Sequence, residues 1–151
     1  MPASLEQLAE RLDLLEAERA IMSTLHAYGN SIDYGNEAEY RDCWLEDAVL
    51  HWPTYREPLR GHEAILDAFR AHTHAPDVYH KHFVLDPRIE ISGDRAHVES
   101  YYARLDDRDG GPYIRSFGRY LDTLQRGDDG RWRFAERRAQ AESRLLSPVN
   151  Q

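Results

Sequence analysis

Residues 79–105 read YHKHFVLDPRIEISGDRAHVESYYARL. Apolar and polar side chains alternate along much of this stretch, which is typical of strands that bury one face. The alternation is interrupted by Ser92-Gly93-Asp94, a sequence that favours a tight hairpin turn. We therefore predict hairpin-linked strands over Tyr79–Leu85, Arg88–Ser92 and Ala96–Leu105.

The same two-residue period continues toward the C-terminus, whereas the period before residue 79 is mostly helical. Further strands are predicted over Tyr113–Gln125 and Arg131–Ala141, with turns at Asp109-Gly110-Gly111 and Gly127-Asp128-Asp129-Gly130. Helices are predicted over residues 4–31, Glu37–Leu45 and residues 62–73, and a short strand over Ala48–Trp52. This order predicts one α+β domain over residues 1–151. Its helices cover one face of a curved antiparallel sheet whose open end holds a pocket.

The composition excludes several classes of protein. A formal net charge of −8 argues against a general nucleic-acid binder, because phosphate contacts need clustered Lys and Arg. Cys43 is the only cysteine, which excludes an internal disulfide and a multi-cysteine metal site. No apolar run approaches the roughly 20 residues of a membrane helix, and no signal peptide is visible. We therefore expect a cytoplasmic protein without a membrane partner.

Asp33 is the first candidate for chemistry. It falls at the end of the first predicted helix, five residues after Tyr28, and most of its neighbours are small or apolar. Aspartate is also common in helix-terminal turns, so a surface residue without a chemical role is the alternative.

His80 and His82 form the second candidate, because alternating side chains put both on one face of a predicted strand. Two such histidines could bind a metal ion, with a third ligand from His51, His72 or His74. They could equally be a general base and its neighbour, or strand residues without a role.

Several short motifs occur in an order that resembles a known family. They are Tyr28-x4-Asp33, Trp44-Leu45-x-Asp47-Ala48-Val49, Arg60-Gly61-His62-Glu63-Ala64-Ile65, His82 before Asp86-Pro87, Gly118-x-Tyr120-x-Asp122 and Gly130-x-Trp132. Together they resemble the SnoaL-like branch of the nuclear transport factor 2-like superfamily over roughly residues 10 to 140. Within that branch the resemblance is to the group of scytalone dehydratase, bile-acid 7-alpha-dehydratase and hexachlorocyclohexane dehydrochlorinase.

The resemblance implies a cone-shaped fold and a set of site residues. Asp33 would hydrogen-bond His82, which would act as the base, and Tyr28 would orient the substrate or act as an acid. We also predict substrate contacts from Trp52, His80 and Tyr102, of which His80 has no clear counterpart in the family. The second active-site histidine of scytalone dehydratase has no match, and no late basic residue aligns, although Arg138 and Arg144 lie near.

These residues predict a cofactor-free, metal-free lyase of the dehydratase type that acts on a cyclic hydroxy-ketone or other hydrophobic, polycyclic metabolite. An isomerase or polyketide-type cyclase with the same enolate chemistry is one alternative. Another is a non-catalytic small subunit of a ring-hydroxylating dioxygenase, which would not need Asp33 and His82 to touch. A homo-dimer or homo-trimer is also expected. Large side chains occur at both odd and even positions of the predicted strands, such as Phe117 and Tyr120, so they point to both faces of the sheet. The helices cover one face only, and the other face needs a partner.

Overall fold

A computed structural model describes residues 1–143 of the chain, apart from the side chain of Arg108. The helices are α1 (Leu5–Tyr34), α2 (Glu37–Asp42) and α3 (Gly61–Ala71). The strands are β1 (Trp44–His51), β2 (Leu59–Arg60), β3 (His80–Ser92), β4 (Arg95–Arg108), β5 (Gly111–Arg126) and β6 (Trp132–Ala141). The predicted α+β order of helices before hairpin-linked strands is confirmed.

Helix α1 begins where its capping residues predict. Ser4 Oγ accepts the backbone N–H of Gln7 at 3.1 Å, and the Gln7 side chain accepts the N–H of Ser4 at 3.0 Å. The helix ends at Gly35, whose φ of 75° is left-handed and suits glycine. It is three residues longer than the predicted end at residue 31, so Asp33 lies within its last turn.

Only the second half of α1 is buried. Ile21, Leu25 and Tyr28 are at most 2% exposed, because this half packs on the sheet. The leucines of the first half follow the same helical spacing but remain exposed, by 87% at Leu5 and 55% at Leu12. The predicted apolar stripe is therefore a core stripe only from Ala17 onward.

The predicted helix over Glu37–Leu45 is too long, since α2 ends at Asp42 and Trp44 already begins β1. Trp44 is the register partner of Phe134 on β6 and lies 5.0 Å from it, ring centroid to ring centroid. The stabilisation from pairing β1 with the sheet outweighs the local preference for a helix that the spacing of Tyr40 and Trp44 indicates. The two rings still lie 5.8 Å apart, centroid to centroid.

The six strands form one sheet in the order β2-β1-β6-β5-β4-β3. Strands β3 to β6 pair antiparallel through the predicted hairpins, but β1 pairs with β6 in parallel. The sheet is therefore mixed: it is antiparallel over β3 to β6, as predicted, and parallel where β1 joins β6. No hairpin links β1 to β6, because β2, α3 and three strands intervene, so sequence proximity does not fix their relative direction.

A bulge joins the two strands that were predicted over Tyr79–Leu85 and Arg88–Ser92 into the single strand β3. Its register against β4 shifts between Leu85 and Arg88, and Asp86 has a φ of 48°. Such a bulge bends the strand and turns the side chains on its two sides relative to one another.

The core lies between the helices and the inner face of the sheet. Its largest fully buried side chains include Tyr28, Tyr40, Trp44, Phe134 and Arg137, the last of which is paired with Asp122. Among the described residues, no helix combines the length and the apolar character that crossing a membrane requires.

Candidate active site

Helix α1 and strand β3 approach each other closely at Gly29. A Cβ atom at this position would lie 2.7 Å from the backbone carbonyl oxygen of His82, which is too close for any other residue. Glycine therefore permits the contact. One helical turn later, the same approach brings Asp33 against β3, where its side chain is 4% exposed.

The carboxylate of Asp33 accepts three hydrogen bonds from β3. Oδ1 accepts from Nδ1 of His82 at 2.6 Å and from Nδ1 of His80 at 2.8 Å, and Oδ2 accepts from the backbone N–H of His82 at 3.0 Å. Burial alone would raise the pKa of Asp33, but the hydrogen bonds from His80 and His82 outweigh it and hold that pKa well below its usual range. Asp33 is therefore a buried carboxylate, and its interpretation as a surface residue is wrong.

His82 has the arrangement that a general base requires. Because Nδ1–H donates to Asp33, the lone pair of the neutral ring lies on Nε2. No residue between 1 and 143 hydrogen-bonds Nε2, and the side chain is 11% exposed. Burial lowers the pKa of His82, and the hydrogen bond and charge of Asp33 offset this only in part. The ring is therefore neutral at pH 7.

His80 lies behind this pair and is fully buried, with 0% of its side chain exposed. Its Nδ1 faces Asp33, and its Nε2 is 2.6 Å from the backbone carbonyl oxygen of Thr73. Both ring nitrogens are therefore occupied by the protein. The predicted contact between His80 and a substrate does not fit this position.

The other predicted site residues lie farther along the interior. Tyr28 is buried, and its hydroxyl accepts the indole N–H of Trp52 at 2.9 Å. Burial raises the pKa of Tyr28, so its hydroxyl keeps its proton. Trp52 is half-buried and lies 5.9 Å from His72, whose ring is 5.7 Å from that of His82. Tyr102 is buried and stacks on Tyr120 at 4.8 Å.

Arg104 is a site residue that the sequence reasoning missed. It is the register partner of His82 on β4, and its Nε donates to Asp106 at 2.9 Å. Its Nη1 donates to Nε2 of His72 at 3.4 Å, while Nδ1–H of His72 donates to the carbonyl oxygen of Thr73. Burial lowers the pKa of His72 to about 4, so this ring is neutral. Arg104 thus places a cation beside the neutral His82.

Asp33, His80 and His82 are also close enough together to hold a metal ion, since their ligand atoms all lie within 4.8 Å of one another. These atoms hydrogen-bond one another directly, at 2.6 and 2.8 Å, instead of converging on a common point. His51 and His74, two of the predicted third ligands, are bound elsewhere, to Glu136 and to two backbone carbonyl oxygens. We therefore describe the three residues as a hydrogen-bonded cluster.

A groove of about 460 Å³ lies on the outer face of the sheet, away from the helices. Its lining is mostly charged or polar and includes Arg88, Glu90, His97, Glu99, Glu136 and Arg138. No predicted catalytic or substrate-contacting residue lines it. Arg138 therefore belongs to the outer face, and Arg144 lies outside the described residues.

Solved structures with the same fold include proteins from one bacterium, Novosphingobium aromaticivorans. One is described as an NTF2-like protein with a cystatin-like fold; it is 23% identical, has a TM-score of 0.79, and the alignment covers 91% of this chain and 90% of that one. Another is a putative scytalone dehydratase at 20% identity and a TM-score of 0.72, with 92% and 97% covered. A third solved structure is that of LinA, a dehydrochlorinase. It is 21% identical at a TM-score of 0.75, and the alignment covers 92% of this chain and 95% of that one.

These likenesses show the fold, which is the nuclear transport factor 2-like arrangement that the sequence motifs imply. No curated protein matches the chain. The model of the SnoaL-like domain, in contrast, matches residues 13–138, a range that includes Asp33, His82 and Arg104. The chain therefore belongs to the family of SnoaL-like domains.

Proposed function

We propose that the chain is a cofactor-free lyase of the dehydratase type, which removes water from a cyclic hydroxy-ketone or a related hydrophobic metabolite. One observation carries this proposal. His82 is bound through Nδ1 to a buried carboxylate and keeps Nε2 free, which is the arrangement of a histidine base oriented by an acid.

In the proposed reaction, Nε2 of His82 takes a proton from a carbon next to the substrate carbonyl. The electron pair of the broken C–H bond moves into an enolate, and the enolate then expels the hydroxyl group on the neighbouring carbon. The proton returns from His82 to that hydroxyl, which leaves as water. Asp33 holds the ring in the required tautomer and stabilises the imidazolium between the two steps. General base catalysis of this kind contributes about 10²–10⁴-fold.

Arg104 is the proposed partner of the enolate oxygen. It faces His82 across the β3–β4 register, and its side chain is 21% exposed, so a substrate oxygen can reach it. Asp106 and His72 hold the guanidinium in place from two sides. A fixed cation beside the site of proton removal stabilises the negative charge that develops there. Tyr28 is proposed as a hydrogen-bond donor to the departing hydroxyl.

An isomerase or a polyketide-type cyclase would use the same base, and its products would set it apart. The non-catalytic dioxygenase subunit is less well supported. Such a subunit needs no contact between Asp33 and His82, whereas these side chains meet at 2.6 Å in the protein interior.

A panel of cyclic β-hydroxy-ketones tests the proposal. We expect at least one member to lose water, with a new ultraviolet absorbance from the conjugated product and a matching loss of mass. The same ring without its carbonyl group serves as the control and should not react, because its C–H bond is not acidic. Conversion without a change of mass would contradict the lyase and indicate the isomerase. An inert panel would count against both.

We also propose that the chain forms a homo-oligomer, a dimer or a trimer, through the outer face of the sheet. Phe83, Leu85, Tyr101 and Phe117 are 43–56% exposed there. They are neighbours across the strands, since Leu85 pairs with Tyr101 and Ala103 links Phe83 to Phe117. The adjoining groove carries both arginine and glutamate side chains, which can pair with their own copies across a symmetry axis.

Tyr101→Glu combined with Phe117→Glu should reduce the molar mass in solution to that of one chain, 17.6 kDa. The carboxylates would be buried without a partner in the assembled form, and light scattering after size-exclusion chromatography measures the result. The control is Leu8→Glu with Leu12→Glu on the exposed half of α1, which should leave the assembly intact. Dissociation by the control pair alone would show that α1, and not the sheet, makes the contact.

A further inference from the structure

Both ring nitrogens of His80 face oxygen atoms that act as acceptors. Nδ1 is 2.8 Å from Oδ1 of Asp33, and Nε2 is 2.6 Å from the backbone carbonyl oxygen of Thr73. A neutral imidazole carries one ring proton and donates at one nitrogen only. When Asp33 is ionised, both contacts can be hydrogen bonds only if both nitrogens of His80 carry protons.

The alternative is that Asp33 carries a proton and donates it to His80. The surroundings of Asp33 argue against this alternative. Its oxygens already accept two N–H groups from His82, one from the ring and one from the backbone, which favours the ionised carboxylate. A carbonyl oxygen such as that of Thr73 has no proton to donate, so the second contact requires a donor on His80 in either case.

We infer that His80 is a fixed imidazolium whose buried ion pair with Asp33 keeps the neighbouring His82 neutral. His80 is then a positioning residue, since it acts on the reaction only through Asp33 and His82. The consequence for catalysis rests on the function proposed above, whereas the charge of His80 does not.

The charge balance around His82 explains this effect. Asp33 faces the ring from α1, His80 lies 5.2 Å away on the same strand, His72 lies 5.7 Å away after α3, and Arg104 faces it from β4. His72 is neutral and Arg104 is always charged. Without a neighbouring cation, the negative charge of Asp33 would strongly stabilise a second proton on the ring of His82. The imidazolium of His80 offsets part of that charge and also repels a second proton nearby, so His82 is neutral before the reaction, while Asp33 still stabilises the imidazolium that forms during it.

His80→Asn is the variant that separates charge from hydrogen bonding. Its amide can still donate a hydrogen bond but carries no charge. We expect the pKa of His82 to rise by about one unit or more, because the carboxylate is no longer neutralised. The control is His74→Asn. The ring nitrogens of His74 also face two carbonyl oxygens, of Ile32 and Phe69, but do not touch Asp33, so His82 should titrate as in the wild type.

Nuclear magnetic resonance of the full chain labelled with ¹⁵N-histidine tests the inference without a substrate. Near pH 7, both ring nitrogens of His80 should show a directly bonded proton, whereas His82 should show one on Nδ1 alone. A single ring proton on His80 would overturn the inference. So would an unchanged titration of His82 in a folded His80→Asn variant. If that variant does not fold, the wild-type spectrum still decides the charge of His80.

The two proposals fail in distinguishable ways. An inert substrate panel with a doubly protonated His80 would count against the lyase and leave the ion pair standing. A singly protonated His80 in an active enzyme would count against the ion pair alone.

Discussion

His82→Gln is expected to lower kcat/KM of the proposed elimination by about 10²–10⁴-fold, the contribution of a general base. The glutamine amide can still donate a hydrogen bond to Asp33, so the fold and the local geometry are retained. It has no nitrogen that takes up a proton near pH 7, so the base is lost. Steady-state kinetics with a substrate from the panel measure the loss. Substrate binding should change little, because the interaction removed is one made in the transition state.

Asp33→Asn should also lower kcat/KM of the elimination, but for a different reason. An amide can hold the ring of His82 but does not stabilise its imidazolium or enforce its tautomer. His97→Gln is the matched control, because His97 lies on the outer face of the sheet with Thr123 as its hydrogen-bond partner. Turnover by His82→Gln or Asp33→Asn at the rate of this control would contradict the assigned roles.

Asp122→Asn is expected to destabilise the protein by about 3–5 kcal/mol, because it leaves a buried charge without its partner. The guanidinium of Arg137 is 0% exposed and donates two hydrogen bonds to Asp122, at 2.7 and 2.8 Å. Its Nη1 has no hydrogen-bond partner among residues 1–143. The guanidinium carbon lies 3.9 Å from the ring centroid of Tyr120 and 4.3 Å from those of Tyr28 and Phe134.

Urea denaturation followed by circular dichroism measures this loss as a change in the free energy of unfolding. Asp94→Asn is the control, because Asp94 pairs with Arg126 at the surface, with 69% of its side chain exposed. A surface pair of this kind contributes about 0–1 kcal/mol. Equal losses in the two variants would show that Asp122 does not neutralise a buried cation. Replacing Asp122 and Arg137 together by Leu and Met should recover much of the stability.

The sequence predicts the secondary structure best where its signal is local. The capping box at Ser4 and the glycine turns of the hairpins act within a few residues, and the observed elements begin and end near them. The end of α2 and the direction of β1 depend instead on β6, about 90 residues away in sequence. No local pattern carries that information, so the helical spacing predicts a helix at Trp44 where the structure has a strand.

In the candidate site, too, the sequence predicts one contact and misses another. The contact between Asp33 and His82 follows from the family motifs and is present. The sequence does not predict that Arg104 lies opposite His82, because this pairing depends on the bulge at Asp86. Without the bulge, the hairpin register that pairs Ser92 with Arg95 would put Leu105 opposite His82. The bulge shifts β3 by one residue and so exchanges its two faces, which brings His82 to the inner face. Strand β4 keeps its alternation, with Ala96, Val98, Ser100 and Tyr102 buried, so Arg104 lies on the same inner face.

The sequence also does not predict that His80 is fully buried. His80 and His82 share one strand face, as the alternation predicts, and both contact Asp33 of α1, but the carbonyl oxygen of Thr73 occupies Nε2 of His80 only. Which of two equivalent histidines is covered is decided by tertiary packing and not by spacing.

Hydrogen–deuterium exchange tests the central claim, that His82 removes a carbon-bound proton, most directly. A cyclic ketone without a leaving group is incubated with the protein in D₂O, and proton nuclear magnetic resonance follows the loss of the hydrogens next to its carbonyl. The account predicts exchange well above the buffer rate with the wild-type protein, and at the buffer rate with His82→Gln. Exchange by His82→Gln at the wild-type rate would contradict it.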